Sequence, residues 1–135
     1  MSKLSGHCHC GAVSFECEAE PAFTVNCHCT DCRAFTGAAY ATLLFVPKDK
    51  LTVSGATRHY VHTSDRGSTM TKRFCPTCGS QLFSENSARE GMIGLRAGSL
   101  DQPDAVKPQR NLFVSSKIPS TPLDPELPCF ERMPG

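Results

Sequence analysis

The sequence has no surplus of charge of either sign. Fourteen lysines and arginines face 13 aspartates and glutamates over 135 residues, a formal net charge of +1, so no long-range field steers the chain toward nucleic acid or a membrane surface. Long apolar runs are missing too. The longest, Ala38 to Val46, covers nine residues, less than half of what a membrane-spanning helix requires. Met1-Ser2-Lys3-Leu4-Ser5-Gly6 holds no apolar signal-peptide core. A cytoplasmic, reducing location is therefore expected, where clustered cysteines bind metal more often than they form disulfides. Neither a repeat nor an internal linker interrupts the chain, and residues 1–135 are expected to form one domain.

What the sequence has in quantity is cysteine. Seven of the nine fall into three groups: Cys8-His9-Cys10, Cys27-His28-Cys29-Thr30-Asp31-Cys32 and Cys75-Pro76-Thr77-Cys78-Gly79. A tetrahedral zinc ion takes four ligands, so seven thiolates fill one site and leave a second one ligand short. Loading both sites would change the balance of charge: seven thiolates (−7) and two zinc ions (+4) take the formal +1 to −2. Nonspecific binding to a phosphate backbone becomes still less favourable.

Strand-like patterns dominate the rest. Ala12 to Glu18 alternates, with Val13, Phe15 and Cys17 on one face and Ser14, Glu16 and Glu18 on the other. Cys17 thus reads as a core residue. Further strands are expected at Phe23–Asn26, Ala39–Val46, Leu51–Ser54, Arg58–His62, Thr69–Phe74, Gln81–Ser84, Met92–Ala97 and Leu112–Ser115. Many short strands separated by Gly, Pro, Asp and Ser indicate an all-β fold of packed sheets. One short helix is expected at Thr30 to Phe35, with Thr30 as N-cap and Gly37 as stop. The tail from Lys117 to Gly135, with five prolines, reads as an extended surface segment.

In a strand, residues i and i+2 share a face, so Cys8 and Cys10 can grip one ion while His9 points away, and Cys27 and Cys29 can do the same opposite His28. Cys29-x-x-Cys32 brings round a third sulfur. Cys75-Pro76-Thr77-Cys78-Gly79 has the form of a zinc knuckle, with Gly79 free to take positive φ. Pairing Cys8/Cys10 with Cys75/Cys78 closes a Cys₄ site. Other readings stay open: Cys129 or a histidine as fourth ligand of the second site, a rubredoxin-like iron in the Cys₄ site, or no metal. His59 and His62 would face opposite sides of a strand, which argues against joint chelation.

An open site of three thiolates is electron-rich and suits a soft incoming ligand, above all a thiol, which binding would convert to the more nucleophilic thiolate. Glutathione is the obvious small cytosolic thiol and is anionic, so a basic residue near the metal would help to hold it. Arg33, Arg58, Lys72, Arg73 and Arg96 are the candidates.

Four motifs in order, Gly6-His7-Cys8-His9-Cys10-Gly11-Ala12-Val13, Cys27-His28-Cys29-Thr30-Asp31-Cys32-Arg33, Arg73-Phe74-Cys75-Pro76-Thr77-Cys78-Gly79-Ser80 and Ala97-Gly98-Ser99-Leu100-Asp101, resemble the glutathione-dependent formaldehyde-activating enzyme and centromere protein V family. The resemblance implies a β-rich, Mss4-like fold of short antiparallel strands and two zinc ions per chain. One would be structural, on Cys8, Cys10, Cys75 and Cys78; the second, catalytic and open, would sit on Cys27, Cys29 and Cys32. It implies a carbon–sulfur lyase-class activity on a thiol adduct such as S-(hydroxymethyl)glutathione. The competing expectation is a noncatalytic zinc-stabilised interaction module. The chain departs from its relatives at Asn111, where a His is frequent, and at Ser120 after Lys117-Ile118-Pro119, where a Trp is frequent; it has no Trp at all.

Overall fold

The alternating N-terminal segment forms a strand, β2 (Ser14–Cys17), with Phe15 and Cys17 buried and Ser14 and Glu16 exposed. These details come from a computed structural model, which describes residues 3–133. β2 is the middle of a three-stranded antiparallel sheet between β1 (Leu4–His7) and β5 (Leu51–Ser54). No strand is expected over Leu4–His7 from the sequence, because only one of its four residues is strongly apolar.

A second sheet has seven strands: β3 (Phe23–Cys27), β4 (Ala41–Pro47), β6 (Arg58–Thr63), β7 (Thr69–Phe74), β8 (Gln81–Asn86), β9 (Met92–Arg96) and β10 (Arg110–Leu112), in the order β10-β3-β4-β9-β8-β7-β6. All its pairs are antiparallel except β10, which runs parallel to β3. β4 lies inside the sheet with both faces covered, which is why its sequence is a near-continuous apolar run. Leu44 and Val46 enter the main core between the sheets, with Phe15, Cys17, Leu82, Phe83, Ile93 and Leu95. Phe15 meets Phe83 edge to face, ring centroids 5.3 Å apart. Leu43 and Phe45 pack on the opposite face with Val25 and Leu112.

The expected strand at Leu112–Ser115 is corrected. Pairing stops at Leu112 because Phe113 takes a left-handed conformation, φ 57°, and Val114–Ser116 form a 3₁₀ turn. The proline-rich tail does wrap the surface. It returns to β10, where Phe130 N–H donates to the Asn111 carbonyl and Asn111 N–H to that of Pro128, each at 2.9 Å, and Phe130 covers the second core. Met1, Ser2, Pro134 and Gly135 lie outside the described residues.

Gly6 of β1 is closely packed between β2 and the turn that follows β9: a Cβ there would stand 2.2 Å from the Ser99 carbonyl oxygen and 2.4 Å from Phe15 Cζ. Gly6→Ala is expected to cost about 1–3 kcal/mol through overpacking. A lower urea midpoint at unchanged slope would report it; an unchanged midpoint would show that the Ser99 turn and the Phe15 ring can give way without penalty.

Candidate metal centre

Two loops bring the first four cysteines together. Cys8 to Gly11 make a tight turn, not the expected continuation of a strand: Gly11 N–H donates to the Cys8 carbonyl at 3.1 Å. The turn achieves what strand parity was expected to do, with Cys8 Sγ and Cys10 Sγ 3.7 Å apart. From the other side, the Cys75–Ser80 knuckle closes through Gly79 N–H to the Cys75 carbonyl at 2.9 Å, with Gly79 at φ 78°. Cys75 Sγ lies 3.8 Å from Cys10 Sγ. All four sulfurs lie within 4.8 Å of one another.

The donor set fits a zinc ion. Zinc–sulfur bonds of about 2.3 Å in a tetrahedron put the sulfurs about 3.8 Å apart, whereas a disulfide would need about 2.05 Å. Backbone N–H groups are aimed at the sulfurs as thiolates require: Val13 N–H to Cys8 Sγ at 3.3 Å and Thr77 N–H to Cys75 Sγ at 3.4 Å. Burial pushes Cys8 up, but Val13 N–H and the Cys10 and Cys75 sulfurs outweigh it and leave the thiol below its ordinary value. The Ser80 hydroxyl and backbone N–H hold Cys78 down at about 5.

The second cluster is built by one strand end and one helix start. Cys27 closes β3, Cys29 follows two residues later, and Cys32 lies in the first turn of α1 (Thr30–Thr36). Their sulfurs also lie within 4.8 Å of one another. The helix N-cap is Cys29, not the expected Thr30: Cys29 Sγ accepts from Cys32 N–H at 3.2 Å. Gly37 ends the helix as expected, at φ 67°. Hydrogen bonds from the Cys27 and Cys32 thiols, the Cys32 N–H and the charge of Lys72 hold Cys29 down at about 2. Cys27 is pushed far up by sharing those hydrogen bonds and by burial. A bond from Cys27 lowers Cys32, while Cys29 and burial outweigh it and leave Cys32 at about 11. With Cys29 held down and Cys27 and Cys32 held up, binding a cation on all three sulfurs would release protons.

The face of the large sheet beneath α1 separates the five basic candidates. Register places Lys72 opposite Ser84, and Ser84 opposite Gly94, two residues before Arg96. Lys72 is 2 % exposed, donates to Ser84 Oγ at 3.0 Å and lies 5.4 Å from the Phe35 ring centroid. Burial lowers its pKa, while the nearby cysteines oppose that shift. Arg96 is also buried, and the charges of Cys32, Cys27 and Cys29 counter the burial that lowers it. The other three are not gathered there in the same way. Arg73 donates to Glu85 at 2.8 Å, Arg58 is exposed, and Arg33 is half-buried on α1.

Cys129 belongs to neither cluster; it is exposed, and its Sγ accepts from Asn111 Nδ2 at 3.7 Å. Among the described residues no histidine joins either cluster. His28 is buried beneath Tyr40, His9 is exposed, His59 is exposed, and His62 is half-buried against Phe35. Asn111, the departure noted in the sequence, accepts from Asn26 Nδ2 at 3.2 Å, and Asn26 accepts in turn from Thr42 Oγ1 at 2.6 Å. Sequence reasoning missed Phe113, whose ring packs on the Cys27/Cys32 cluster from that left-handed position. Its signal, a positive φ on a bulky residue, is invisible before folding.

Between α1 and the Cys₄ loops lies a cleft of about 830 Å³, with Phe35, Tyr40, Ala41, Gln81 and Arg96 on its walls. Cys8 and Cys78 touch it directly. The three-cysteine cluster adjoins it through Ala41, the β4 partner of Cys27, and through Phe35 of α1. Among the described residues, no helix is long and apolar enough to cross a membrane.

Comparison with known proteins bears on this site. A family model described as "Glutathione-dependent formaldehyde-activating enzyme" matches residues 3–116. A relative from Halomonas elongata, named "Putative glutathione-dependent formaldehyde-activating enzyme", is 29 % identical over 120 residues, covering 84 % of this chain and 76 % of its own. A Phaeosphaeria nodorum relative of the same name is 29 % identical over 119 residues; the match covers 86 % of this chain and 62 % of that longer protein. Among solved structures, the crystal structure of a Rhodobacter sphaeroides protein superposes with a TM-score of 0.57 at 25 % identity, covering 77 % of this chain and 96 % of that one.

Proposed function

The chain belongs to the glutathione-dependent formaldehyde-activating enzyme family, and from that premise we propose that it is a zinc-dependent, carbon–sulfur lyase-class enzyme acting on a glutathione adduct. Cys8, Cys10, Cys75 and Cys78 hold a structural zinc, and Cys27, Cys29 and Cys32 hold a second one with a position left for substrate. The observation that carries the reading is a three-sulfur cluster set against two buried cationic side chains, beside an open cleft. When bound, the second zinc would supply a soft Lewis acid toward a fourth sulfur.

The residues around it do the rest. Hydrogen bonds from the Cys27 and Cys32 thiols, the Cys32 N–H and the charge of Lys72 hold the Cys29 thiol far below its ordinary range, which readies it as a ligand. Lys72, fixed by Ser84, holds a positive charge against the sulfurs and favours a substrate thiol that has given up its proton. In the synthetic direction the thiol sulfur bonds to the formaldehyde carbon, and the thiol proton ends on the carbonyl oxygen. The lyase direction reverses both. Phe113 packs on the cluster and the Phe35 ring lies against the Lys72 ammonium, which limits water around both and strengthens these charge interactions. All nine cysteines are free, which suits a reducing cytoplasm. The near-zero charge favours a small thiol over nucleic acid as the partner.

Cobalt substitution tests this. Glutathione added to the cobalt-loaded protein is expected to intensify and shift the sulfur-to-cobalt charge-transfer bands, with formaldehyde consumption only when the second site is loaded. A spectrum indifferent to glutathione would overturn the reading and leave a zinc-stabilised interaction module.

A further inference from the structure

Two buried polar side chains on the cleft wall have no partner. Arg96, the last residue of β9, is 5 % exposed, and its Nε, Nη1 and Nη2 all lack a hydrogen bond. Gln81, the first residue of β8, has a buried Oε1 that is equally unpartnered. Both line the same cleft. Arginine stays protonated in proteins, and a buried charge without a partner costs several kcal/mol. Something outside the protein's own groups is therefore needed to balance it.

The second metal site does not supply that balance. Three thiolates and a zinc ion sum to −3 + 2 = −1, and Lys72, which already has Ser84 as acceptor, cancels this. The charge on Arg96 is left over. A guanidinium offers donors in a planar fork that matches a carboxylate, and the match strengthens where water is excluded. Gln81 Oε1 is an acceptor awaiting an N–H. A ligand presenting a carboxylate and an N–H together is the end of a peptide. The cleft, at about 830 Å³, falls within the range of small-ligand sites.

We propose that Arg96 and Gln81 form a docking subsite for a peptide carboxylate, Arg96 taking the carboxylate oxygens and Gln81 Oε1 accepting an N–H of the same ligand. The ligand is glutathione, an identification that rests on the function proposed above; the docking role rests on the unpartnered Arg96 and Gln81 atoms. It gives a place to Ala97-Gly98-Ser99-Leu100-Asp101, the one motif that contributes no cysteine to either cluster. This segment follows Arg96 directly, and its first four residues line the cleft.

The test uses S-methylglutathione, whose sulfur carries no proton to lose, and its diethyl ester, in which both carboxylates are masked. Calorimetry on the zinc-loaded protein should show the ester binding about tenfold to a hundredfold more weakly than the acid, the effect of one lost charge-assisted bidentate contact. Arg96→Met should weaken the acid by the same factor and bind acid and ester alike. Its ligand-free melting temperature should be unchanged or higher, since an unpaired buried charge is gone. Should Arg96→Met fail to fold, Arg96→Lys serves in its place: it keeps the charge, loses the fork, and should show a reduced acid-to-ester ratio. An ester that binds as tightly as the acid, an acid-to-ester ratio that survives either substitution, or no binding of S-methylglutathione at all would overturn the subsite. Arg96-dependent binding of S-methylglutathione with a cobalt spectrum blind to glutathione would support the subsite and remove the lyase reading; the opposite pattern would do the reverse.

Discussion

Cys75→Ser is expected to abolish cooperative folding. Cys75 is 0 % and Cys8 1 % exposed, and both sulfurs belong to the main core as well as to the four-sulfur cluster. The cluster joins the turn between β1 and β2 to the turn between β7 and β8, so it ties the small sheet to the large one. The strands of the small sheet have four residues each, and a sheet of that size needs a packed face to persist. A structural zinc in a comparable site contributes about 10–16 kcal/mol, against a total stability of about 5–15 kcal/mol for a domain. Losing one sulfur therefore removes an amount comparable to the whole margin.

A buried serine hydroxyl without a partner adds about 1–3 kcal/mol of its own, so the variant is paired with metal removal from the wild type. Chelation, followed by circular dichroism against temperature, should give the same loss of a cooperative transition, restored by added zinc. A Cys75→Ser protein that melts within a few degrees of wild type while short of one zinc per chain would show that the cluster is not structural.

The cysteine spacing made both clusters legible before any fold was known, because ligand-spaced thiols are rare by accident. Spacing did not reveal how the backbone brings Cys8 and Cys10 together: a strand and a tight turn both bring i and i+2 sulfurs close, and only the Gly11 N–H to Cys8 bond decides for the turn. β1 was hidden because Leu4-Ser5-Gly6-His7 has no pattern of its own. It is a strand because β2 needs a partner and Gly6 leaves room for the Phe15 ring. β10 ended early because a left-handed Phe113 is set by packing, not by propensity. Cys29 is absent from the usual N-cap preferences, yet its sulfur accepts the Cys32 N–H in the place of a side-chain oxygen. The basic residues were indistinguishable as letters; sheet register beneath α1 separates Lys72 and Arg96 from the rest.

The same N-cap makes Cys29→Ser the cleanest separation of chemistry from folding. Serine is among the best N-cap residues, so its hydroxyl can take over the Cys32 N–H and the helix keeps its start. Cys29 is the least buried of the three, and little packing is lost. The soft sulfur is gone, however, and a hard oxygen of much higher pKa replaces the one thiol of the cluster that its surroundings hold low. The expected result is a protein that melts within a few degrees of wild type and carries one zinc per chain in place of two. Its turnover should fall by at least about a hundredfold, since losses of about 10–100-fold already follow when the outer supports of a metal ligand are removed. Cys29→Ala is the control for the cap: it should lose the same activity and, in addition, about 1 kcal/mol of stability. If Cys29→Ser unfolded, the second cluster would be a structural centre like the first; if it kept both ions and full turnover, the site of reaction would have to lie elsewhere. The prediction discriminates because the observed helix cap and the proposed metal ligand ask different things of one atom. Oxygen satisfies the first and fails the second.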